Sequence, residues 1–160
     1  MFDALVLDRA WCQQEPLVSR IRRLLSEVAE DCKGEEATFW VMSENGEEIH
    51  GAVNHGECSQ AMEELTVPVS DSVVGMVAAT GQGACVGPDD KMNPLAYEKT
   101  GKKVTAMVAV PVYVNGLLIG ALTAINPQGG GLFGSDELGE MEWKAWLLGL
   151  ILDERLRSDS

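Results

Sequence analysis

The sequence lacks the features that mark several protein classes. It has no CxxC pair, and its four cysteines are spread too evenly for a disulfide scaffold or a clustered zinc site. The N-terminus carries acids instead of the basic segment of a signal peptide, and no apolar run approaches the ~20 residues of a membrane helix. These absences predict a cytoplasmic protein with reduced cysteines. The four are Cys12, Cys32, Cys58 and Cys85.

Basic residues are scarce. The 160-residue chain has 12 Lys and Arg against 25 Asp and Glu, a formal net charge of −13. Such a surface repels nucleic-acid phosphates and anionic lipids, so we expect neither as a partner. The hydrophobic share of 46% is typical of a globular protein, and the length suits one ordinary core.

Motifs for catalysis and cofactor binding are also absent. No G-x-S-x-G or S-x-x-K occurs, and the glycines of "GQGACVG" (81–87) follow a predicted helix instead of a strand. His50, His55 and Cys58 match no established metal-ligand spacing. The sequence therefore predicts no enzyme activity, no identified cofactor and no metal.

Periodic patterns predict an α+β domain. Apolar residues at helical spacing from Leu17 to Cys32 predict an amphipathic helix that begins near Pro16. Segments 37–42 and 49–54 flank an Asn-Gly turn, and segments 104–114 and 117–125 flank Asn115-Gly116, so both pairs predict β-hairpins. Further strands are expected at 65–70 and 84–87, and helices at 72–80 and after Ser135, which we expect to be the N-cap. Meander connections imply an antiparallel sheet of about six strands.

An ordered set of short motifs resembles the GAF domain family, which comprises small sensory and regulatory modules. The motifs are Val74-Gly75-Met76-Val77-Ala78, Ala84-Cys85-Val86, Thr100-Gly101, Met107-Val108-Ala109-Val110-Pro111-Val112, Ile119-Gly120-Ala121-Leu122, Asn126, Phe133 and Asp136-Glu137. The resemblance runs from about Leu17 to Leu156. It implies a GAF-like domain over 16–157, after an N-terminal extension (1–15) that can be helical and before a short tail (158–160). Terminal helices are expected on one sheet face, and short helices and loops on the other.

The resemblance also implies a small-molecule cleft between the sheet and the segment that crosses it. Carried over by position, the candidate ligand-binding residues are Trp40, Cys85, Asp89, Asp90, Asn93, Tyr97, Thr100, Thr105 and Met107. For Asp89, Asp90 and Asn93, a role as turn formers in a solvated loop remains open. Asn126-Pro127 departs from the Asn-Lys pair of some cyclic-nucleotide-binding members, and the Cys-His pair of bilin-binding members is absent. The ligand therefore stays unidentified.

The last helix is apolar nearly all round from Ala145 to Leu152, which is more than one sheet face requires. This predicts a symmetric homodimer built on the terminal helices. The expected interface residues are Trp143, Trp146, Leu147, Leu150 and Ile151.

The resulting functional hypothesis is a non-enzymatic sensory domain of a signalling protein, with a fused or associated output domain. Two alternatives stay open at this point. One is a ligand-free GAF module retained for dimerisation. The other is a cysteine-based redox enzyme like the free methionine sulfoxide reductases, in which Cys58 and Cys85 would be the thiols.

Overall fold

The computed structural model describes residues 7–87, 101 and 103–159. The helices are α1 (Arg9–Cys12), α2 (Leu17–Cys32), α3 (Ser59–Met62), α4 (Val73–Thr80) and α5 (Ser135–Asp159). The strands are β1 (Gly34–Met42), β2 (Glu48–His55), β3 (Thr66–Pro68), β4 (Ala84–Val86), β5 (Met107–Val114) and β6 (Leu117–Pro127). A 3-10 turn, Val69–Asp71, joins β3 to α4.

The six strands form one antiparallel sheet in the order β3-β2-β1-β6-β5-β4. Both predicted hairpins are confirmed, since β1 pairs with β2 and β5 pairs with β6. The two hairpins join through β1 and β6, which pair from Gly34–Pro127 to Val41–Gly120. The predicted α+β class with a six-stranded antiparallel sheet is confirmed.

The helix ends follow local chemistry. Helix α2 begins after Pro16 and ends at Cys32, because the next residue, Lys33, adopts a left-handed φ of 56°. Helix α4 has Ser72 as N-cap, and its hydroxyl accepts a hydrogen bond from the Gly75 amide. Ser135, the predicted N-cap of α5, is instead the first residue of that helix. The amide of Gly134 before it donates to Glu137 Oε1 at 2.8 Å, because a first-turn glutamate can reach back to the cap position.

Each face of the sheet has its own apolar core. Helices α2 and α5 cover one face, where Phe39, Val108 and Leu122 are buried. Helices α3 and α4 cover the other, where Trp40 and Ala121 are buried. The terminal helices therefore lie on one face and the short elements on the other, as the resemblance implied.

The N-terminal extension packs against the domain and contacts both α5 and β2. Trp11 and Cys12 of α1 are buried, and Trp11 Nε1 donates to Asp159 Oδ2 at 2.9 Å, which ties the two ends of the chain together. Arg9 donates to the carbonyls of Gly51, at 2.9 Å, and Leu65. Helix α1 thus fastens the end of α5 to β2 and to the segment before β3.

Helices α2 and α5 lie side by side and run antiparallel. Lys144 contacts Asp31 near the end of α2, whereas Glu154 contacts Arg20 near its beginning. Within the described residues, no helix combines the length and the apolar character that crossing a membrane requires.

Candidate functional site

A row of buried polar side chains crosses the sheet face opposite the terminal helices. Thr38 of β1 is in register with Asn54 of β2 on one side and Thr123 of β6 on the other. Glu36 lies two residues before Thr38 and therefore on the same face. Their exposed fractions are 3% or less. We call these four residues, Glu36, Thr38, Asn54 and Thr123, the polar row.

Hydrogen bonds fix the side chains of the polar row, in which both threonine hydroxyls act as acceptors. Asn54 Nδ2 donates to Thr38 Oγ1 at 2.7 Å, and Trp40 Nε1 donates to Thr123 Oγ1 at 3.0 Å. Ser59 of α3 donates to Asn54 Oδ1 at 2.9 Å. Each threonine hydroxyl thus accepts one bond, and among the described residues neither hydroxyl is found to donate one. The arrangement can donate two hydrogen bonds to a bound molecule.

Apolar side chains frame the polar row. Met107 of β5 and Ile125 of β6 are cross-strand partners of each other, and Ile125 is also the partner of Glu36. Both are half-buried. On the other side, Trp40 belongs to the core formed with α3 and α4. A few polar groups in an apolar frame are typical of small-molecule sites.

The structure brings together only part of the predicted ligand set. Trp40 and Met107 lie on the face of the polar row, packed with the same apolar core. Thr105 is exposed and donates through its amide and its hydroxyl to Asn126 Oδ1, at 2.8 and 3.2 Å. Five of the predicted residues lie outside the described residues: Asp89, Asp90, Asn93, Tyr97 and Thr100.

Cys85 is separated from that set. It is the cross-strand partner of Val108, which faces α2 and α5, and its Sγ lies 3.9 Å from the carbonyl of Gly134. Because successive strand residues point to opposite faces, Ala84 and not Cys85 shares the face of Trp40.

All four members of the polar row were missed by sequence reasoning. A signal was present in two strands. Thr123 is the only polar residue in the run "LLIGALTAI", and Glu36 and Thr38 occupy alternate positions before Trp40. Polar residues at alternate positions of otherwise buried strands indicate a polar stripe on one face.

Asn126, which belongs to the GAF-like motif, fixes the conformation of residues 103–106, which lead into β5. It adopts a φ of 57°, and its amide Nδ2 donates to the carbonyl of Lys103 at 3.0 Å while Oδ1 accepts from Thr105. Its backbone amide donates to the carbonyl of Ala106. Asparagine suits this position because it tolerates the left-handed conformation and offers both a donor and an acceptor.

His50 takes part in a structural contact at the edge of the sheet. Its Nδ1 lies 2.7 Å from Thr66 Oγ1, and Arg9 Nη2 donates to the same hydroxyl at 3.2 Å. Burial, and then the charge of Arg9, lower the pKa of His50. The described residues contain no group of three His, Cys, Asp or Glu side chains able to hold a metal ion.

The two loop cysteines lie far apart. Cys58 follows β2 and packs on the core beneath α3 and α4, whereas Cys85 is in β4 and faces α5. Strands β1, β6 and β5 separate them in the sheet, so their Cα atoms cannot reach the ~7 Å limit of a disulfide. Burial, and then the charge of Glu137, raise the pKa of Cys85, which disfavours the reactive thiolate.

An open groove of about 370 Å³ lies between α1, α2 and α3. Three of its polar side chains are already bonded within the protein: Arg22 donates to Glu63 Oε2 at 2.7 Å, and Gln13 donates to the carbonyl of Glu63 at 3.1 Å. The groove is therefore a weaker candidate site than the polar row.

The fold and the polar row define a small α+β module with a buried polar site on one sheet face. A family model described as "GAF domain" matches residues 16–142, and the chain belongs to this family. A "Probable 3',5'-cyclic phosphodiesterase pde-5" of Caenorhabditis elegans is 28% identical over 95 residues, which cover 58% of this chain. The match spans only 12% of that protein.

Solved GAF structures share the fold over nearly the whole chain. The GAF-B domain of DevS from Mycobacterium smegmatis has a TM-score of 0.70 at 17% identity, covering 96% of this chain and 100% of its own. The free methionine-R-sulfoxide reductase from Neisseria meningitidis, solved with its substrate, has a TM-score of 0.69 at 18% identity, covering 89% of this chain and 81% of its own. At these identities the similarity shows the fold alone.

Proposed function

We propose that this GAF domain is a non-enzymatic regulatory module that binds a small molecule at the polar row and dimerises through α2 and α5. The buried polar row carries the first part of this proposal. An isolated protein gains little from placing Thr38 and Thr123 with unused hydroxyl donors on an apolar face, because buried polar groups cost free energy unless they are bonded. A ligand with two hydrogen-bond acceptors would satisfy both hydroxyls.

The relative in Caenorhabditis elegans supports a signalling context. Its name assigns it to cyclic phosphodiesterases, so cyclic nucleotides belong among the ligands to be tried first. The Asn126-Pro127 departure and the net charge of −13 both weigh against an anionic ligand. We therefore propose a ligand class of neutral polar molecules and use cyclic nucleotides as the comparison set.

Ligand screening by thermal shift, followed by calorimetric titration, tests the binding proposal. For any molecule that binds, Thr123→Val should reduce affinity by about tenfold or more, because it deletes one hydroxyl donor, and with it the acceptor of Trp40 Nε1, at nearly constant side-chain volume. Thr123→Ser keeps the donor and should preserve affinity within a few-fold. Thr80→Val is the control, since Thr80 is an exposed residue of α4 whose hydroxyl bonds to the Met76 carbonyl.

A panel of neutral polar molecules and cyclic nucleotides that gives no shift would contradict the binding proposal. So would a ligand whose affinity Thr123→Val leaves unchanged. Either result would favour the ligand-free alternative, in which the bonds from Asn54 to Thr38 and from Trp40 to Thr123 only stabilise the sheet.

The separation of Cys58 from Cys85 supports the non-enzymatic part, because the redox alternative requires these two thiols to meet. The fold shared with a free methionine-R-sulfoxide reductase makes that reaction the one to assay. We expect no reduction of free methionine sulfoxide in the presence of a thiol reductant. Turnover that is lost in Cys85→Ser would contradict the proposal.

The exposed face of α5 supports dimerisation. Trp143 and Trp146 are 52% and 56% exposed and stack with ring centroids 5.2 Å apart, and Leu150 is 48% exposed. The other two predicted interface residues, Leu147 and Ile151, pack partly against the core and contribute less free surface. Exposed aromatic groups are enriched at protein interfaces.

Sedimentation at micromolar concentration tests the dimer. We expect a dimer that dissociates when Trp146→Ala and Leu150→Ala are combined, because these substitutions remove the centre of the apolar surface. A monomer at every concentration, or a dimer unaffected by the double substitution, would contradict the proposal.

A further inference from the structure

The charges on the helical layer formed by α2 and α5 are polarised. Near the end of α2 and the beginning of α5, the two helices carry seven carboxylates and two lysines, Lys33 and Lys144. We call this the acidic end. Its carboxylates are Glu27, Glu30, Asp31, Asp136, Glu137, Glu140 and Glu142.

The opposite end of the same layer carries most of the arginines. Because α2 and α5 run antiparallel, the beginning of α2 lies beside the last turns of α5, as the 3.1 Å ion pair of Arg20 with Glu154 shows. We call this the basic end. Its arginines are Arg20, Arg23, Arg155 and Arg157, and its carboxylates are Asp153, Glu154 and Asp159. Three of the arginines pair with these carboxylates within the protomer, so the net charge of this set is 4 − 3 = +1 and is carried by Arg23, against 2 − 7 = −5 at the acidic end.

The exposed apolar stripe lies between the two ends. It consists of Trp143, Trp146 and Leu150, which repeat at i, i+3 and i+7 and so share the outward face of α5. Their exposed area is on the order of 300 Å², whereas each partner of a stable dimer buries about 800 Å². The charged residues on either side must therefore form part of any dimer interface, and they decide how two copies can pair.

From this polarity we infer that two copies pair antiparallel, with the acidic end of each protomer against the basic end of the other. The inference rests on the proposed dimer and adds its orientation. A parallel pair would place the two acidic ends together, and like charges across an interface are unfavourable. An antiparallel pair instead separates the two acidic ends and brings Arg23 of one copy toward the acidic end of the other. Arg23 is exposed and has no ion pair with the described residues, so its charge is free to act across the interface.

The two-fold axis of such a dimer crosses α5 between Trp146 and Leu150, so that Gly139 of one copy faces Ser158 of the other and Glu142 faces Arg155. Gly139 marks the acidic end of α5 and Ser158 the basic end, and both are exposed. They lie 19 residues apart, or about 28 Å along the helix. An antiparallel pair separates the two copies of Gly139 and likewise the two copies of Ser158, but brings Gly139 of one copy near Ser158 of the other. A parallel pair brings identical residues of the two copies together and separates Gly139 of one copy from Ser158 of the other.

Spin-label distances distinguish these arrangements. Gly139→Cys and Ser158→Cys would each be labelled in a background with Cys58→Ser and Cys85→Ser, which leaves the two buried cysteines unlabelled. An added side chain at Gly139 meets no atom within 4 Å, so the label should not disturb the fold. We expect long distances, above about 20 Å, between identical labels and a shorter distance in a mixture of the two labelled proteins.

Charge reversal gives an independent readout with opposite signs for the two arrangements. In the antiparallel dimer, Glu142→Lys removes an attraction and should weaken association several-fold, whereas in a parallel dimer it would relieve repulsion and strengthen it. Glu57→Lys, on the exposed loop after β2, is the control and should have little effect. Short distances between identical labels, or a stronger dimer with Glu142→Lys, would overturn the antiparallel inference while leaving the dimer intact. A monomer in sedimentation would overturn both.

Discussion

Lys144 of α5 donates to Asp31 of α2 across a distance of 2.8 Å, and it is the buried member of the pair. The Lys144 side chain is 8% exposed and the Asp31 side chain 46%. Glu140 and Glu27 lie 3.6 and 4.0 Å from the same ammonium group. Burial by itself lowers the pKa of Lys144, but the hydrogen bond to Asp31 and the three carboxylate charges outweigh it, and the net shift is upward.

We predict unequal costs for removing the two partners. Lys144→Met keeps most of the aliphatic packing but deletes the shared cation, and should lower the free energy of unfolding by about 1–2 kcal/mol. Asp31→Asn leaves Glu140 and Glu27 near the lysine and should cost less than about 1 kcal/mol. Urea unfolding of both variants measures this, and equal costs would contradict the shared-cation interpretation.

The raised pKa of Lys144 also predicts an alkaline loss of stability. The folded state holds this proton more tightly than the unfolded chain, whose lysine pKa is near 10.5. The contribution is therefore fully present below 10.5 and falls as pH rises through the folded-state pKa. The stability difference between the wild type and Lys144→Met should narrow in that window. Because the carboxylates are half-exposed, the change should stay below about 1 kcal/mol. A difference that widens with pH would be inconsistent with the shift.

Two tryptophans should respond differently to the same substitution. Trp11 of α1 is 6% exposed and bonded to Asp159, whereas Trp143 is 52% exposed. Trp11→Ala should destabilise the fold by about 3 kcal/mol or more, because it leaves a cavity and removes the hydrogen bond that connects α1 to Asp159. Trp143→Ala should change the unfolding free energy of the dilute protein by less than about 0.5 kcal/mol. Denaturant unfolding at low protein concentration makes the comparison, and similar losses would show that α1 is not part of the core.

Two glycines of α5 form a second matched pair. A Cβ at Gly149 would overlap the carbonyl of Tyr113 in β5, whereas a Cβ at Gly139 meets nothing within 4 Å. Gly149→Ala should therefore destabilise the protein by about 1–3 kcal/mol by forcing α5 away from the sheet. Gly139→Ala should stabilise it by up to about 1 kcal/mol through helix propensity. Thermal unfolding should show melting temperatures shifted in opposite directions.

Thiol labelling should separate the four cysteines into exposed and protected classes. Cys85 is exposed, while Cys12 and Cys32 are buried, and burial followed by nearby carboxylate charges raises the pKa of Cys32 to about 12. Near neutral pH the native protein should label at Cys85 and leave Cys12 and Cys32 unreacted. After denaturation without reductant, all four should react. Fewer than four would reveal a disulfide and contradict the prediction of reduced cysteines.

The local patterns of the chain were sufficient to predict its elements. The helical spacing from Leu17 to Cys32 gave the bounds of α2, and Asn115-Gly116 located the hairpin of β5 and β6, with both residues at positive φ. These features depend on neighbours within a few residues, so they can be predicted from sequence. Helix α3 was missed because a four-residue helix has no periodicity, and β1 and β6 begin or end beyond the predicted segments.

The candidate site needed the tertiary structure. Glu36, Thr38, Asn54 and Thr123 come from three strands, and only the pairing of β1 with β2 and with β6 places them side by side. The sequence likewise left open on which face of the sheet the Cys85 side chain lies, because a one-residue shift in the register of β4 would move that side chain to the other face.

The sequence by itself therefore determined the family, the α+β class, the two hairpins and the apolar excess of the last helix, since each follows from motifs or spacing within one segment. The tertiary structure decided which strands meet at the centre of the sheet, which polar side chains share a buried face, and how the charges of α2 and α5 divide into two ends. Those relations join residues as far apart as Arg20 and Glu154, and they exist only once the two helices lie antiparallel on the same face.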